Sequence, residues 1–183
     1  VSPTGFRLKF PAAGRWTPLR NDKVRKIALT ALLMSLALIF SYIESLISLG
    51  FVFPGFRLGL SNITVLVVLY VFGKKYTVPF GLFKSFFSLL FLGRLSSLLF
   101  SVCGTVMSLI IMILLKKTGK FSIFAVSACG SVFHIWGQFF AAAAVFSSFS
   151  LLGMLPYMSL FAVFSGLAVA AVAFPVINRL LTK

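Results

Sequence analysis

Acidic side chains are nearly absent from this chain: Asp22 and Glu44 are the only two among 183 residues, against 17 Lys plus Arg. A water-facing surface needs many charges of both signs, and this sequence has too few acids to make one. It has long apolar runs instead. Hydrophobic residues form 60% of the chain and mean hydropathy is +1.11, whereas soluble domains lie near ~45–50% apolar. The chain reads as an all-α polytopic membrane protein.

Six transmembrane helices fit the apolar pattern, near residues 27–49, 58–73, 76–93, 95–115, 121–146 and 151–181. The second is short, and the last two are long enough to tilt or to include interfacial turns. Residues 1–26 form a basic head carrying Arg7, Lys9, Arg15, Arg20, Lys23, Arg25 and Lys26. The expected organisation is therefore a cytoplasmic segment, 1–26, followed by a six-helix membrane domain, 27–183. The apolar run after the head is long enough to span, unlike a signal peptide core. The head reads either as an unstructured basic tail or as a contact for anionic lipid.

A net charge of +15 would suggest nucleic acid in a soluble protein. Here the positions of the charges argue for topology. With the N-terminus inside, the head, Lys74, Lys75, Lys116, Lys117, Lys120, Arg179 and Lys183 all fall on the cytoplasmic side. The outer side receives only Arg57 and Arg94. This is the positive-inside pattern, with both termini cytoplasmic and no nucleic-acid partner expected.

Ionisable and amide side chains at membrane depth are expensive, so each is a candidate for function. Glu44 lies about 25 Å along the first helix at 1.5 Å per residue. By the same rise, His134 and Gln138 lie about 20–25 Å along the fifth, four residues apart and so on one face. Asn62 falls about one turn below the outer end of the second helix, and Arg57 and Arg94 at outer ends. These six are the candidate ligand-binding residues. Each has a structural alternative: Glu44 as the ion-pair partner of Arg57 or Arg94, His134 and Gln138 as interhelical hydrogen-bond donors and acceptors. Lys84, near mid-membrane, is a further possible site residue. It faces Ser88 and a cavity, or it snorkels inward beside Lys74 and Lys75.

The stretch PGFRLGLSN at 54–62 falls where the chain re-enters the membrane. Pro54 and Gly55 suit a turn, and Gly59 suits close backbone approach. Irregular polar backbone at that depth is tolerated where protein buries it or a wet cavity adjoins it, so the stretch lines an outward-facing site or forms an interfacial turn. Cys103 and Cys129 lie in apolar runs without CxxC or Cys/His spacing, and no metal site or cofactor is expected.

The stretches SYIES at 41–45, PGFRLGLSN at 54–62 and HIWGQ at 134–138 resemble the membrane proteins known as heptaprenyl diphosphate synthase component I, also called the Gx transporter family. The resemblance covers roughly residues 24–181. In size and helix count that family is similar to the S components of energy-coupling factor transporters. These are six-helix proteins that capture vitamins from outside and associate with a membrane T component and two ATPases. The resemblance implies an S-component-like bundle in the bacterial cytoplasmic membrane, a small vitamin- or cofactor-like ligand, and a membrane T component and ABC-type ATPases as partners. The small-residue docking motif of such proteins is imperfect here: Ala28 is followed four later by Leu32, with Ala31 and Ser35 the nearest substitute.

The familiar prenyl diphosphate synthases hold magnesium through aspartate-rich motifs, and magnesium needs hard oxygen ligands. One Asp and one Glu cannot supply two carboxylate clusters, and neither a P-loop nor a nucleophilic triad is visible. The expectation is a non-enzymatic substrate-binding subunit of an importer. The alternatives are a non-catalytic subunit associated with isoprenoid or quinone synthesis, and a membrane subunit of flavin- or quinone-linked electron transfer. The topology makes a direct prediction. In cysteine-substitution labelling of intact cells, impermeant reagents reach positions beside Arg57, Arg94 and Ser148. They do not reach Lys75 or Lys117, and external labelling at Lys75 would contradict the arrangement.

Overall fold

The computed structural model describes residues 22–46, 59–92 and 95–182. Six α-helices follow one another: α1 (Asp22–Leu46), α2 (Asn62–Val71), α3 (Lys74–Leu92), α4 (Leu95–Thr118), α5 (Ile123–Phe146) and α6 (Leu155–Leu181). A 3-10 segment, Phe149–Met154, leads into α6, in keeping with the turns that the length of that apolar stretch suggests. Among the described residues there is no strand.

The helical count matches the sequence reading, and among the described residues four stretches are long and apolar enough to cross a membrane: Val24–Glu44, Leu98–Thr118, Ile123–Phe146 and Phe149–Leu181. The first helix starts at Asp22, so Lys23, Arg25 and Lys26 belong to its first turns. The second helix departs most from expectation. It has ten residues, not sixteen, and all ten are buried. At 1.5 Å per residue it is about 15 Å long, half the ~30 Å of a hydrocarbon core. It is apolar because protein surrounds it.

The main core forms around α2. Its Val65–Val71 run packs with Leu33 and Ala37 of α1, Phe80 of α3, Leu109 and Met112 of α4, Ile123 and Val126 of α5, and Val169, Ala170, Ala173 and Ile177 of α6. Meanwhile Ile39, Phe83, Phe86, Ile110, Phe161 and Phe164 are exposed, while Glu44, Lys84, Thr105, His134 and Gln138 are buried. Large apolar groups outside and polar groups inside suit a bilayer and not water. Among the described side chains of α3, the buried set is Thr77, Phe80, Gly81, Lys84 and Ser85. That is the i, i+3, i+4, i+7, i+8 stripe of one helical face, here polar at its centre.

Glycines bring α4 and α5 into backbone contact. A Cβ on Gly137 would lie 2.6 Å from the Cys103 carbonyl oxygen and 2.8 Å from Gly104 Cα. One on Gly104 would lie 2.7 Å from the His134 carbonyl oxygen. The same device joins α5 to α6, where Gly166 faces Ala128 and Ser131, and Ser127 Oγ donates to the Gly166 carbonyl at 2.7 Å. The small residues of α5 and α6 thus serve packing within the bundle. Ala28, Ala31 and Ser35 of α1 are exposed.

Gly137→Val therefore forces the α4 and α5 backbones apart. Overpacking costs about 1–3 kcal/mol where side chains can shift, and here the obstacle is main chain. Thermal unfolding in detergent will show a large loss of stability for Gly137→Val. Gly153→Ala, with nothing within 4 Å, will stay within about 0.5 kcal/mol of wild type. Equal behaviour of the two variants would contradict the close α4–α5 crossing.

Candidate functional site

Four side chains from three helices and the turn before α2 meet at the N-terminal end of that helix. Gly59 starts the turn with φ +89, a conformation that suits glycine. Its carbonyl accepts from the Asn62 N–H at 2.8 Å, and the Leu60 carbonyl accepts from the Ile63 N–H at 3.0 Å. A side chain at Gly59 would also press on the Asn62 amide, 3.0 Å from the Cβ position. The turn leaves the Leu60 N–H and the Ser61 hydroxyl facing α1, and both donate to Glu44. The Leu60 N–H reaches Oε1 and Ser61 Oγ reaches Oε2 at 3.5 Å.

Lys84 enters the cluster from α3. Its ammonium donates to Ser61 Oγ at 3.1 Å and to Asn62 Oδ1 at 2.9 Å. Only 2% of Lys84 and 4% of Glu44 is exposed, so Lys84 does not snorkel to the interface. Ser61 carries both interactions, accepting from the ammonium and donating to the carboxylate. The Asn62 assignment follows from the same geometry: an ammonium only donates, so the oxygen of the amide faces it. The amide nitrogen, Nδ2, is buried and has no hydrogen-bond partner.

The opposite end of α2 is satisfied by α4. Lys116 Nζ donates to the Leu69 carbonyl at 2.6 Å and lies 4.6 Å from the centroid of the Tyr70 ring. A carboxyl group at the N-terminal end and an ammonium at the C-terminal end both complement the helix dipole. Gly73, at φ +82, closes the helix, with the N–H groups of Phe72 and Gly73 both on the Val68 carbonyl.

A second polar group sits on α5. Gln138 Nε2 and His134 Nε2 are 2.8 Å apart. An amide nitrogen donates, so the imidazole Nε2 accepts and its proton lies on Nδ1. Both side chains lie over Gly104, whose Cβ position is 3.0 Å from Gln138 Cγ and 3.1 Å from His134 Cε1. Gln138 Oε1 is buried without a hydrogen-bond partner. A seam of hydroxyls runs between the two groups. Ser85, next to Lys84, pairs with Thr105, next to Gly104, at 3.0 Å, and Ser101 Oγ donates to Ser85 Oγ at 3.3 Å.

Of the residues expected from sequence, Glu44, Asn62 and Lys84 are thus gathered at one end of α2, while His134 and Gln138 form a pair beyond the α3–α4 seam. Arg57 and Arg94, with Pro54 and Gly55, lie outside the described residues. Ser61, Ser85, Ser101 and Thr105 carry the network without having been singled out as site residues. Serine and threonine are common in packed membrane helices, so only the position of Ser61 beside Asn62 marked it in advance. Lys116, counted from sequence among the cytoplasmic-side cations, lies in the last turn of α4 as a half-buried contact of α2.

The arrangement defines a class: a helical membrane protein with lipid-like residues outside and a hydrogen-bonded polar interior. The chain belongs to the family described as heptaprenyl diphosphate synthase component I, which it matches over residues 33–175. The matched stretch includes every side chain of both polar groups. No curated protein and no solved structure matches the chain.

Removing one of two opposed buried charges costs about 3–5 kcal/mol, because the other is left uncompensated. Lys84→Met will therefore destabilise the chain by that order, and Glu44→Gln combined with Lys84→Met will recover part of the loss. Thermal unfolding of the single and double variants measures this coupling. Strict additivity would show that Ser61 does not link them energetically.

Proposed function

We propose that this protein is a non-catalytic, substrate-binding membrane subunit of a small-molecule importer, similar to an S component. On this reading the chain lies in the bacterial cytoplasmic membrane with both termini inside. The end of α1, the start of α2 and the middles of α3 and α5 then present Glu44, Asn62, Lys84, His134 and Gln138 to an outward-facing pocket, with Arg57 and Arg94 at its mouth. The observation that carries the reading is the unused hydrogen-bonding capacity of Asn62 Nδ2 and Gln138 Oε1. An unsatisfied buried polar group costs about 1–3 kcal/mol, and more in hydrocarbon. Two such atoms at the edges of a buried polar network suit a ligand that completes it. Energy comes from partners, a T component and ABC-type ATPases, since the sequence carries no nucleotide-binding motif.

The family description favours a second reading, an accessory subunit of prenyl diphosphate synthesis. With one Asp and one Glu in the chain, the magnesium-binding carboxylates of that chemistry belong to a partner. Co-purification with an aspartate-rich soluble synthase separates this reading from the importer.

Mass spectrometry of gently purified protein tests the proposal: a small organic molecule is retained at near-stoichiometric amount. Gln138→Ala and His134→Ala weaken its binding about tenfold, the loss of one hydrogen-bond partner, and leave the chain folded. A drop in thermal stability with unchanged ligand retention would instead make the pair interhelical packing alone.

A further inference from the structure

We propose that the N-terminal end of α2 is a seat for an anionic oxygen group, a carboxylate or phosphoryl, and that Glu44 is its built-in occupant, exchanged for the ligand's anion on binding. The inference rests on the substrate-binding reading and names the chemistry of the group that enters.

The seat has the parts of an anion site. A backbone N–H, that of Leu60, and the hydroxyl of Ser61 point at one carboxylate. The Lys84 ammonium stands on the same hydroxyl, and the positive end of the ten-residue α2 lies behind them. Glu44 uses these donors as a free anion would. The cluster also holds a donor that the seated carboxylate leaves unused. Asn62 Oδ1 is turned to Lys84, so Nδ2, in a residue only 6% exposed, presents N–H groups with no hydrogen-bond partner. An anion with more oxygens than a tethered side chain can bring satisfies Nδ2 as well.

The geometry also favours exchange over simple loss. Expelling Glu44 with nothing in its place leaves the buried Lys84 without an anion nearby, whereas replacing one anion by another keeps the charge balanced. Glu44 is carried by α1, whose Ile27, Leu32, Ile39 and Tyr42 are exposed. The remaining donors belong to the Leu60–Ser61 turn, to the fully buried α2 and to the buried face of α3. Withdrawal of Glu44 therefore moves α1 and leaves the other donors in place.

Competition gives a distinctive sign. A ligand binds the wild type only in the fraction of molecules in which Glu44 has left the seat, so removing the carboxylate raises apparent affinity. The probe is inorganic phosphate, titrated at constant ionic strength against the thermal unfolding midpoint of the full chain in detergent. Glu44→Gln is stabilised saturably at a phosphate concentration about tenfold or more below that needed by wild type, and adding Lys84→Met abolishes the effect. Glu44→Asp, one methylene too short for the seat, serves if Glu44→Gln does not fold, with a shift of the same direction. A parallel series in bilayers with and without phosphatidic acid separates sources. Stabilisation by that lipid alone assigns the seat to a lipid phosphate, and by free phosphate to a soluble anion. Variants that respond in neither series, or only at wild-type concentrations or above, overturn the inference. A neutral molecule retained by wild type in that case leaves the substrate-binding reading standing; phosphate stabilisation without any retained molecule does the reverse.

Discussion

A helix enclosed by protein on every side has to satisfy both of its ends within the bundle, and α2 imposes that constraint on the rest of the structure. Its ten residues are buried, and groups at both of its ends find partners within the bundle. The turn at Gly59–Ser61 and the carboxyl group of Glu44 complete one end. Gly73 and Lys116 complete the other. Glu44 thereby fixes α1 to the bundle, and Lys116 fixes α4. One buried carboxyl group and one half-buried ammonium are accounted for by one short segment and the direction of its dipole.

Lys84 extends the arrangement from structure toward chemistry. Once Glu44 is held at the head of α2, an ammonium nearby offsets its charge, and Ser61 connects the two. Next to Lys84 on α3, Ser85 begins the hydroxyl seam to Thr105. Next to Thr105 on α4, Gly104 makes room for His134 and Gln138. The absence of a side chain at Gly104 and Gly137 therefore both permits close helix packing and positions the α5 amide. The polar interior is one consequence of how three helices share their narrow faces.

The apolar pattern made the helices legible, because each hydrophobic run is bounded by glycines, lysines or short polar turns. It misjudged α2, since an apolar segment facing protein and one facing lipid have the same composition. Glu44 and Lys84 stood out because a charge in an apolar run is expensive wherever it points, yet their common partner Ser61 could not be read from spacing alone. His134 and Gln138 were legible as a pair from their four-residue separation, which places both on one helical face. The contact of Lys116 with α2 was also not legible, for a physical reason: a lysine at the end of an apolar helix has the same sequence context whether it meets solvent or caps another helix. The meeting of residues 44, 61, 62 and 84 depends on tertiary packing, which periodicity along one helix does not encode.

Hydrogen exchange of the amides of residues 63–71, measured by mass spectrometry on the full chain in micelles, tests the central role of α2 most directly. A helix capped inside the bundle exchanges only when the bundle opens. Its amides are therefore as slow as those in the centre of α5, and Lys116→Met accelerates the C-terminal half of α2. Exchange of 63–71 as fast as that of the exposed turn at 119–122, with no response to Lys116→Met, would contradict the account.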